Sequence, residues 1–254
     1  MSYQHIQTDL KDGLAVITLT REPVNVLNIA MMKEINQALD GLKNEKIKLL
    51  LFKAGGKAFS AGVDVGEHLG DQVEEMIEVF HGIFRRMDAL PAVSVASVQG
   101  AALGGGCELA LYCDLVIASE KAKFGQPEIQ VGVFPPIAAL IFPRLTARKK
   151  ALELVLSGET ITAQEALSLG LINKVVPADQ LEEELQKFLE KFLPLSGLVL
   201  ALTKKAFLAG LMDPAEQGLQ AIEKIYLKEL MKTRDAEEGL RAFLDKRKPV
   251  WKEA

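Results

Sequence analysis

Two glutamates lie next to segments with unusual backbone properties. One segment is rich in glycine, and the other contains glycine and proline. Glu108 comes two residues after a run of three glycines at 104–106, between the apolar Cys107 and Leu109. A carboxyl group in apolar surroundings has a raised pKa, which suits general acid or base chemistry near neutral pH. The alternative is a glutamate in the first turn of a helix that only complements the helix dipole.

The second glutamate, Glu128, directly follows Pro127 and lies three residues after Gly125. Glycine and proline together favour a rigid turn, which would hold the Glu128 carboxylate in one place. On its own, this position is more typical of a solvated turn residue. The sequence therefore predicts an acid–base pair only when both glutamates are considered with the loops around them.

The glycine-rich segment 100–106 connects a predicted strand to a predicted helix. Because glycine has no side chain, a ligand can approach its backbone N–H group closely. A helix N-terminus adds unpaired N–H donors with partial positive charge. A dinucleotide fingerprint is excluded because Leu109 occupies the place of its third glycine, and a Walker A loop because no Gly-Lys-Ser/Thr follows. A donor site for a smaller developing charge, such as a thioester oxygen becoming an enolate, fits this segment. Glycines that only permit tight helix–strand packing fit it equally well.

The elements that position these residues alternate between strand and helix patterns, which favours parallel strands. A second loop, residues 59–65, also joins a predicted strand to a predicted helix, and it is either a further backbone donor or an ordinary connection. Capping boxes are predicted at 162–165 and 179–182. Strands are predicted at residues 16–20, 48–52, 93–98, 115–118 and 171–176, and long helices at residues 29–42 and 73–87.

The chain after about Leu193 has no strand pattern and is predicted to form three helices. A boundary near 194–197 divides a core of residues 1–195 from a helical region of residues 196–254. A region this small buries little core of its own, so it must pack on the main body or on another subunit. The residues predicted to share one helix face there are Leu219, Ile222, Tyr226 and Leu230.

The composition is that of an ordinary globular chain, with 254 residues, 49% of them hydrophobic and 25% charged. The net charge of -4 and pI near 5.6 favour neither nucleic acid nor an anionic membrane as a partner. Cys107 and Cys113 lie in an apolar stretch and indicate a reduced intracellular chain. His5, His68 and His81 are too far apart in sequence to indicate a zinc site. No signal segment or membrane span is recognisable, so we expect a cytoplasmic protein.

Four segments resemble the crotonase, or enoyl-CoA hydratase/isomerase, superfamily in their order and spacing: residues 59–64, 104–110, 124–129 and 243–249. The resemblance covers essentially the whole chain. It implies an α/β fold, a crotonase-like spiral of ββα repeats with a C-terminal helical trimerisation region. It also implies a homo-oligomer, either a trimer or a dimer of trimers.

The resemblance further implies a site that binds an acyl-CoA thioester and adds water across its conjugated double bond. In such a site the backbone N–H groups of Val63 and Gly105 form the oxyanion hole, Glu108 takes a proton from water and Glu128 donates one. Hydratases of the family use two glutamates, whereas isomerases and other branches often keep one, so this pair favours hydration. No separate cofactor is expected, because coenzyme A is part of the substrate.

Candidates for binding the CoA ester also come from the resemblance. The loop that receives the CoA adenine in the family matches residues 63–66, and Lys246 would hold CoA phosphates, either in its own subunit or in a neighbouring one. His68 either lines the acyl pocket or is an ordinary loop histidine. The residues assigned to substrate and CoA binding are Ala61, Asp64, Val65, Gly66, His68, Pro136 and Lys246.

Three further segments, residues 66–72, 132–136 and 225–231, resemble the cyclohexa-1,5-diene-1-carbonyl-CoA hydratase branch, which serves anaerobic benzoyl-CoA degradation. Most crotonases have a glycine-rich stretch after the second glutamate, and a glycine N–H there helps to hold the water. Here that stretch is 135–139, and Pro136 has no N–H to offer. Such a rigid loop fits a cyclic acyl group better than a linear one.

Two other functions stay open from the sequence. One is a general short-chain enoyl-CoA hydratase of fatty-acid β-oxidation. The other is a non-catalytic member of the fold that binds acyl-CoA or RNA, which the two glutamates and the acidic net charge disfavour.

Overall fold

The computed structural model describes residues 3–212 and 223–252, in which strands and helices alternate as predicted. The strands are β1 (Ile6–Lys11), β2 (Leu14–Leu19), β3 (Leu49–Ala54), β4 (Val93–Val98), β5 (Ala101–Leu103), β6 (Leu115–Ser119), β7 (Lys123–Gly125), β8 (Thr160–Thr162) and β9 (Lys174–Val176). The helices are α1 (Ile29–Gly41), α2 (Gln72–Ala89), α3 (Gly105–Tyr112), α4 (Pro136–Leu145), α5 (Arg148–Ser157), α6 (Ala163–Ser168), α7 (Leu181–Leu189), α8 (Gly197–Met212) and α9 (Arg234–Leu244). Short 3-10 helices cover Val65–His68, Pro127–Val131, Ala178–Gln180 and Leu230–Lys232, and a π-helical turn covers Ile225–Glu229.

Six strands form one large sheet in the order β1-β2-β3-β4-β6-β9, and every neighbouring pair except β1–β2 is parallel. The parallel pairs confirm what the alternation predicted. β1 is absent from the predicted strands because only Ile6 of its six residues is buried, so it lacks an alternating apolar pattern. A turn at Asp12 and Gly13, both with positive φ, joins it to β2 as a hairpin.

A smaller sheet holds β5, β7 and β8, and isolated bridges continue the pattern beyond β5. Ser60 pairs with Ala102, and Leu27 pairs with Val63. Successive turns of the chain therefore contribute one strand to the large sheet, one extended segment to the small sheet or its bridges, and then a helix. This arrangement confirms the predicted spiral of ββα repeats.

β3 illustrates why the central strands are almost continuously apolar. Leu50 and Phe52 join the main core, to which α1 and α2 also contribute. Leu49 and Leu51 belong to a second cluster, which α7 covers with side chains such as Leu185. A strand covered on both faces has no polar face, so its apolar residues cannot alternate with polar ones.

The two predicted capping boxes have different outcomes. Thr162 and Glu165 cap α6 reciprocally, as predicted. The predicted box at 179–182 is wrong. Asp179 lies inside the 3-10 helix Ala178–Gln180, and Gln180, the residue that precedes α7, makes no side-chain cap bond. The preceding helical turn already sets the direction of the chain into α7.

The described residues beyond Leu193 contain no strand, as predicted, and α8 begins at Gly197. Of the predicted helix face, Leu219 and Ile222 lie outside the described residues. The division of the chain after residue 195 stays a prediction. Within the two described ranges, no helix is both long enough and apolar enough to cross a membrane.

The C-terminal segment folds back onto the start of the helical region. The Trp251 indole N–H donates to the Pro194 carbonyl at 2.7 Å, and the Lys252 N–H donates to Asp235 Oδ1 at 2.6 Å. Asp235 is buried and also accepts from the Ser196 hydroxyl at 2.5 Å. These bonds tie α9 and the chain end to the segment that precedes α8.

Candidate active site

Parallel pairing of β5 with β7 brings the two glutamates to the same end of the small sheet. The Gly104 N–H donates to the Gly125 carbonyl at 2.9 Å, immediately after the paired strands. Two helices begin there, α3 and the 3-10 helix Pro127–Val131, and each has one glutamate in its first turn. Glu108 and Glu128 are therefore positioned by one short stretch of sheet.

The Glu128 carboxylate lies directly over the bare backbone of Gly104. A Cβ atom on residue 104 would stand 2.6 Å from Glu128 Oε1, which is well inside contact distance. Gly104 also has a φ of 50°, a conformation that favours glycine. The glycine is therefore required both by its own backbone and by the carboxylate above it.

Glu108 is almost completely buried, with 2% of its surface exposed. Burial raises the pKa of its carboxyl to about 8, and the nearby charge of Glu128 contributes to this rise. The backbone N–H groups of Ala138 and Ile137 lower the pKa and so oppose it. The Ala138 N–H donates to Glu108 Oε1 at 2.7 Å.

The donor of this bond belongs to the first turn of α4, where N–H groups lack partners within their own helix. Pro136 is the first residue of α4, a position at which proline is favoured because its N–H is not needed. Pro136 has no N–H to donate, and it is Ala138, two residues later, whose N–H donates to Glu108. This donor was not predicted from the sequence, although two prolines ahead of an apolar run are a recognisable signal of a helix start.

Glu128 is half-buried, and this burial raises the pKa of its carboxyl to about 7. The buried side chain of Gln126 lies beside it. With its amide nitrogen turned towards the carboxylate, Gln126 donates to Oε1 and Oε2 at 3.3 and 3.2 Å. From the sequence, Gln126 was predicted only as part of a turn.

The two predicted donors, Val63 and Gly105, come from loops that are tied to each other. The Ser60 N–H donates to the Ala101 carbonyl at 3.1 Å, and the Leu103 N–H donates to the Ser60 carbonyl at 2.9 Å. Within the described residues, the backbone N–H groups of Val63 and Gly105 have no acceptor. Both are therefore available to a ligand.

The space around these donors is set by the absence of a side chain at Gly105. A Cβ atom there would stand 2.6 Å from Val63 Cγ2 and 3.0 Å from Phe80 Cζ. Phe80 itself packs edge-on against Phe84 in α2. The wall beside the donors is consequently apolar and closely packed.

The other residues predicted for the loop have different environments. Asp64 caps the 3-10 helix Val65–His68 by accepting from the Gly66 N–H at 3.0 Å. His68 Nδ1 lies 2.9 Å from the Asp64 carbonyl, so the ring is bonded to its own loop. Ala61, Gly66 and Val65 are exposed, Val65 by 62%, and form an open surface.

Lys246 is not brought to this site by the contacts of a single chain. It is exposed, follows α9 and has a φ of 53°. Among the described residues it makes no hydrogen bond or ion pair with the residues of the loop 61–68 or with either glutamate. A role in holding CoA phosphates stays a prediction.

The arrangement combines two carboxyls that titrate near neutrality with two unpaired N–H donors on neighbouring loops. Such a site can polarise a carbonyl oxygen while it moves a proton on and off a neighbouring carbon. No cluster of three histidine, cysteine or acidic side chains suited to a metal ion occurs in the described part of the chain.

Comparison with known proteins assigns the chain to a family. The family model described as "Enoyl-CoA hydratase/isomerase" matches residues 9–254. The chain is similar to "Cyclohexa-1,5-dienecarbonyl-CoA hydratase" of Thauera aromatica, with 37% identity over 95% of this chain and 94% of that protein. It is also similar to "Probable enoyl-CoA hydratase, mitochondrial" of Dictyostelium discoideum, with 36% identity over 96% of this chain and 89% of that one.

A solved structure that is similar to this chain is also described as an enoyl-CoA hydratase, like the relatives found by sequence. The crystal structure of an enoyl-CoA hydratase from Bacillus anthracis matches with a TM-score of 0.93 and 33% identity. The match covers 99% of this chain and 100% of that one. The agreement over both chains confirms the fold implied by the sequence.

The raised pKa of Glu108 predicts how stability depends on pH. Between the ordinary value of 4.5 and about 8, the folded chain holds a proton that the unfolded chain releases, so the free energy of unfolding falls as pH rises through this window. We expect Glu108→Gln, which cannot ionise, to gain about 1 kcal/mol or more over the wild type between pH 5 and pH 8.5. Urea unfolding at several pH values measures this difference.

The exposed Glu45 provides a matched control for this prediction. Glu45→Gln makes the same chemical change at the surface and should follow the wild type at every pH. A constant difference between Glu108→Gln and the wild type across the window would contradict the raised pKa.

Proposed function

The chain belongs to the enoyl-CoA hydratase/isomerase family and is a hydro-lyase of the enoyl-CoA hydratase type, and we propose that its substrate is cyclohexa-1,5-diene-1-carbonyl-CoA. The product would be 6-hydroxycyclohex-1-ene-1-carbonyl-CoA, formed during anaerobic aromatic degradation. One observation carries the hydratase chemistry: the buried Glu108 and the half-buried Glu128 titrate near neutrality beside two unpaired backbone donors.

Polarisation of the thioester is the first part of the proposed reaction. The N–H groups of Val63 and Gly105 hydrogen-bond the thioester oxygen and stabilise the negative charge that develops there. Polarisation draws electrons from the conjugated system and makes the carbon β to the carbonyl open to attack by water. The apolar wall of Val63 and Phe80 limits water beside the donors, which strengthens these bonds.

Proton transfer is the second part. Glu108 takes a proton from water, whose oxygen bonds to the substrate carbon, and Glu128 gives a proton to the resulting dienolate. When the pair holds one proton, the ionised carboxyl group can act as the base and the protonated one as the acid. In this division of roles Glu108 is ionised and Glu128 is protonated when water attacks. The Ala138 N–H favours this state, because it stabilises ionised Glu108.

The choice of a cyclic substrate rests on the chain after Glu128. Pro135 and Pro136 lead directly into α4, so the backbone beside Glu108 is the stiff first turn of a helix. A rigid wall suits a flat ring with a fixed shape. In a cyclic diene the proton can add at the far end of the conjugated system, which gives a 1,4-addition.

Binding of the CoA portion would involve the loop of Ala61, Asp64, Val65 and Gly66, with His68 at its end. Ala61, Val65 and Gly66 are the exposed residues of this loop. This loop would receive the adenine, and Lys246 would meet the phosphates from its own or a neighbouring subunit. The reaction needs no cofactor, because the substrate itself carries coenzyme A. A cytoplasmic location stays a prediction, since the similar proteins include a mitochondrial one.

For the proposed function, the first prediction concerns the two glutamates. Glu108→Gln and Glu128→Gln should each lower kcat by on the order of 10²- to 10⁴-fold, because each removes one proton-transfer group. KM should change little, since the oxyanion donors and the CoA loop are intact. Steady-state hydration kinetics measure both effects, with Glu45→Gln as the control. Full activity in both variants would exclude the assignment.

The second prediction concerns the acyl group. Purified protein should have a kcat/KM for the cyclic dienoyl-CoA at least about tenfold above that for crotonyl-CoA, because the rigid loop favours a ring. Hydration assays with the two thioesters, followed by mass spectrometry and NMR of the cyclic product, measure this. A preference for crotonyl-CoA would support a general short-chain hydratase of fatty-acid β-oxidation.

The third prediction concerns assembly into a homotrimer or a dimer of trimers. α8 exposes large apolar side chains, including Phe207, which is 71% exposed, and Leu211. Apolar patches of this kind favour burial against another subunit. Sedimentation velocity should give three or six times the chain mass of 27.7 kDa. A species of the mass of a single chain at micromolar concentration would contradict the proposal.

A further inference from the structure

The loop that carries Val63 is fixed by two backbone bonds on either side of that residue. The Leu27 N–H donates to the Gly62 carbonyl at 2.8 Å, and the Asp64 N–H donates to the Leu27 carbonyl at 3.0 Å. Val63 itself donates to neither, so its N–H stays free for a ligand. The direction of that N–H therefore depends on how firmly the loop is held against the segment that leads into α1.

Glu67 adds a side-chain bond to this arrangement, four residues after Val63. Its Oε2 atom accepts from the Ile29 N–H at 2.7 Å. Ile29 is the first residue of α1, so its N–H has no acceptor within its own helix. The helix N-cap does not supply one either, because the Asn28 side chain accepts from the Met31 N–H.

The surroundings of Glu67 make this bond important for the loop. Glu67 is half-buried, and burial raises the pKa of its carboxyl, which the bond from the Ile29 N–H opposes. The neighbouring apolar side chains do little to anchor the loop, since Val65 is 62% and Leu69 is 72% exposed. α1 also has no acidic residue in its own first turn, so Glu67 complements its dipole from outside.

We propose that Glu67 is a positioning residue that holds the Val63 N–H in the direction needed by the thioester oxygen. The inference rests on the proposed function, in which Val63 polarises that oxygen. Glu67 would act through the loop and would not touch the substrate. Because a displacement of about 1 Å in a reacting group can cost about 10²-fold in rate, a loosened loop should be measurable in turnover.

Three substitutions of Glu67 separate the effect of side-chain length from the effect of charge. Glu67→Ala removes the acceptor, Glu67→Asp keeps the charge but is one methylene too short, and Glu67→Gln keeps an oxygen at the same reach. We expect the Ala and Asp variants to lose at least about tenfold in kcat/KM for the enoyl thioester. The Gln variant should stay within about threefold of the wild type, because its amide oxygen still accepts the Ile29 N–H.

A nearby ion pair supplies the matched control. Glu75 is about half exposed and pairs with Lys33, so it also joins α1 to another element, but to α2 and not to the loop. Glu75→Ala should keep wild-type kcat/KM. An equal loss in Glu75→Ala and Glu67→Ala would mean that any weakening of α1 lowers activity, and would overturn the specific role of Glu67.

The absorbance of a bound conjugated thioester reports the oxyanion donors directly. Cinnamoyl-CoA should shift to longer wavelength on binding the wild type, because hydrogen bonds polarise its carbonyl. The shift should shrink in Glu67→Ala and Glu67→Asp and persist in Glu67→Gln, while the affinity for free CoA stays unchanged. Wild-type kinetics and a wild-type shift in both the Ala and Asp variants would overturn the proposal.

Hydrogen exchange distinguishes failure of this inference from failure of the proposed function. If the wild type hydrates no enoyl thioester, the proposed function fails. The loop can still be tested, because the Asp64 N–H should exchange at least about tenfold faster in Glu67→Ala than in the wild type or Glu75→Ala. Unchanged exchange would refute the positioning role, and Glu67→Asp decides the matter if Glu67→Ala does not fold.

Discussion

The absence of side chains at two consecutive positions, Gly104 and Gly105, is the constraint on which the site depends. The first leaves room for the Glu128 carboxylate, and the second leaves room for Val63 and Phe80. A methyl group at either position would meet an atom at 2.6 Å. Glu128 and Val63 are therefore packed against two consecutive residues, and a side chain at either position would displace one of them.

This packing has an energetic consequence for the folded chain. Burial of Glu108 disfavours its ionised form, and ionisation at higher pH therefore opposes folding. The first turn of α4 offsets part of this penalty through the Ala138 N–H. A group made suitable for proton transfer near neutrality is thus one that reduces stability, as is common for functional sites.

Short-range sequence patterns made much of the fold predictable, whereas contacts between residues far apart in sequence could not be predicted. The continuous apolar run of β3 and the capping box of α6 are local signals, and both are confirmed. β1 lacked a pattern because a single residue of it is buried. In the site, the glutamates and glycines could be proposed from residue type. The Ala138–Glu108 and Ile29–Glu67 bonds join residues 30 and 38 positions apart, so no local pattern contains them.

The spiral of ββα repeats gives each turn of the chain a separate task. The turn after the Ser60 bridge supplies Val63, the turn after β5 supplies Gly105 and Glu108, and the turn after β7 supplies Glu128. In the proposed reaction, polarisation draws on the first two turns, and the second proton-transfer group belongs to the third alone. A change confined to the third turn can therefore replace Glu128 while the polarising donors and Glu108 are kept, which makes this architecture modular along its own axis.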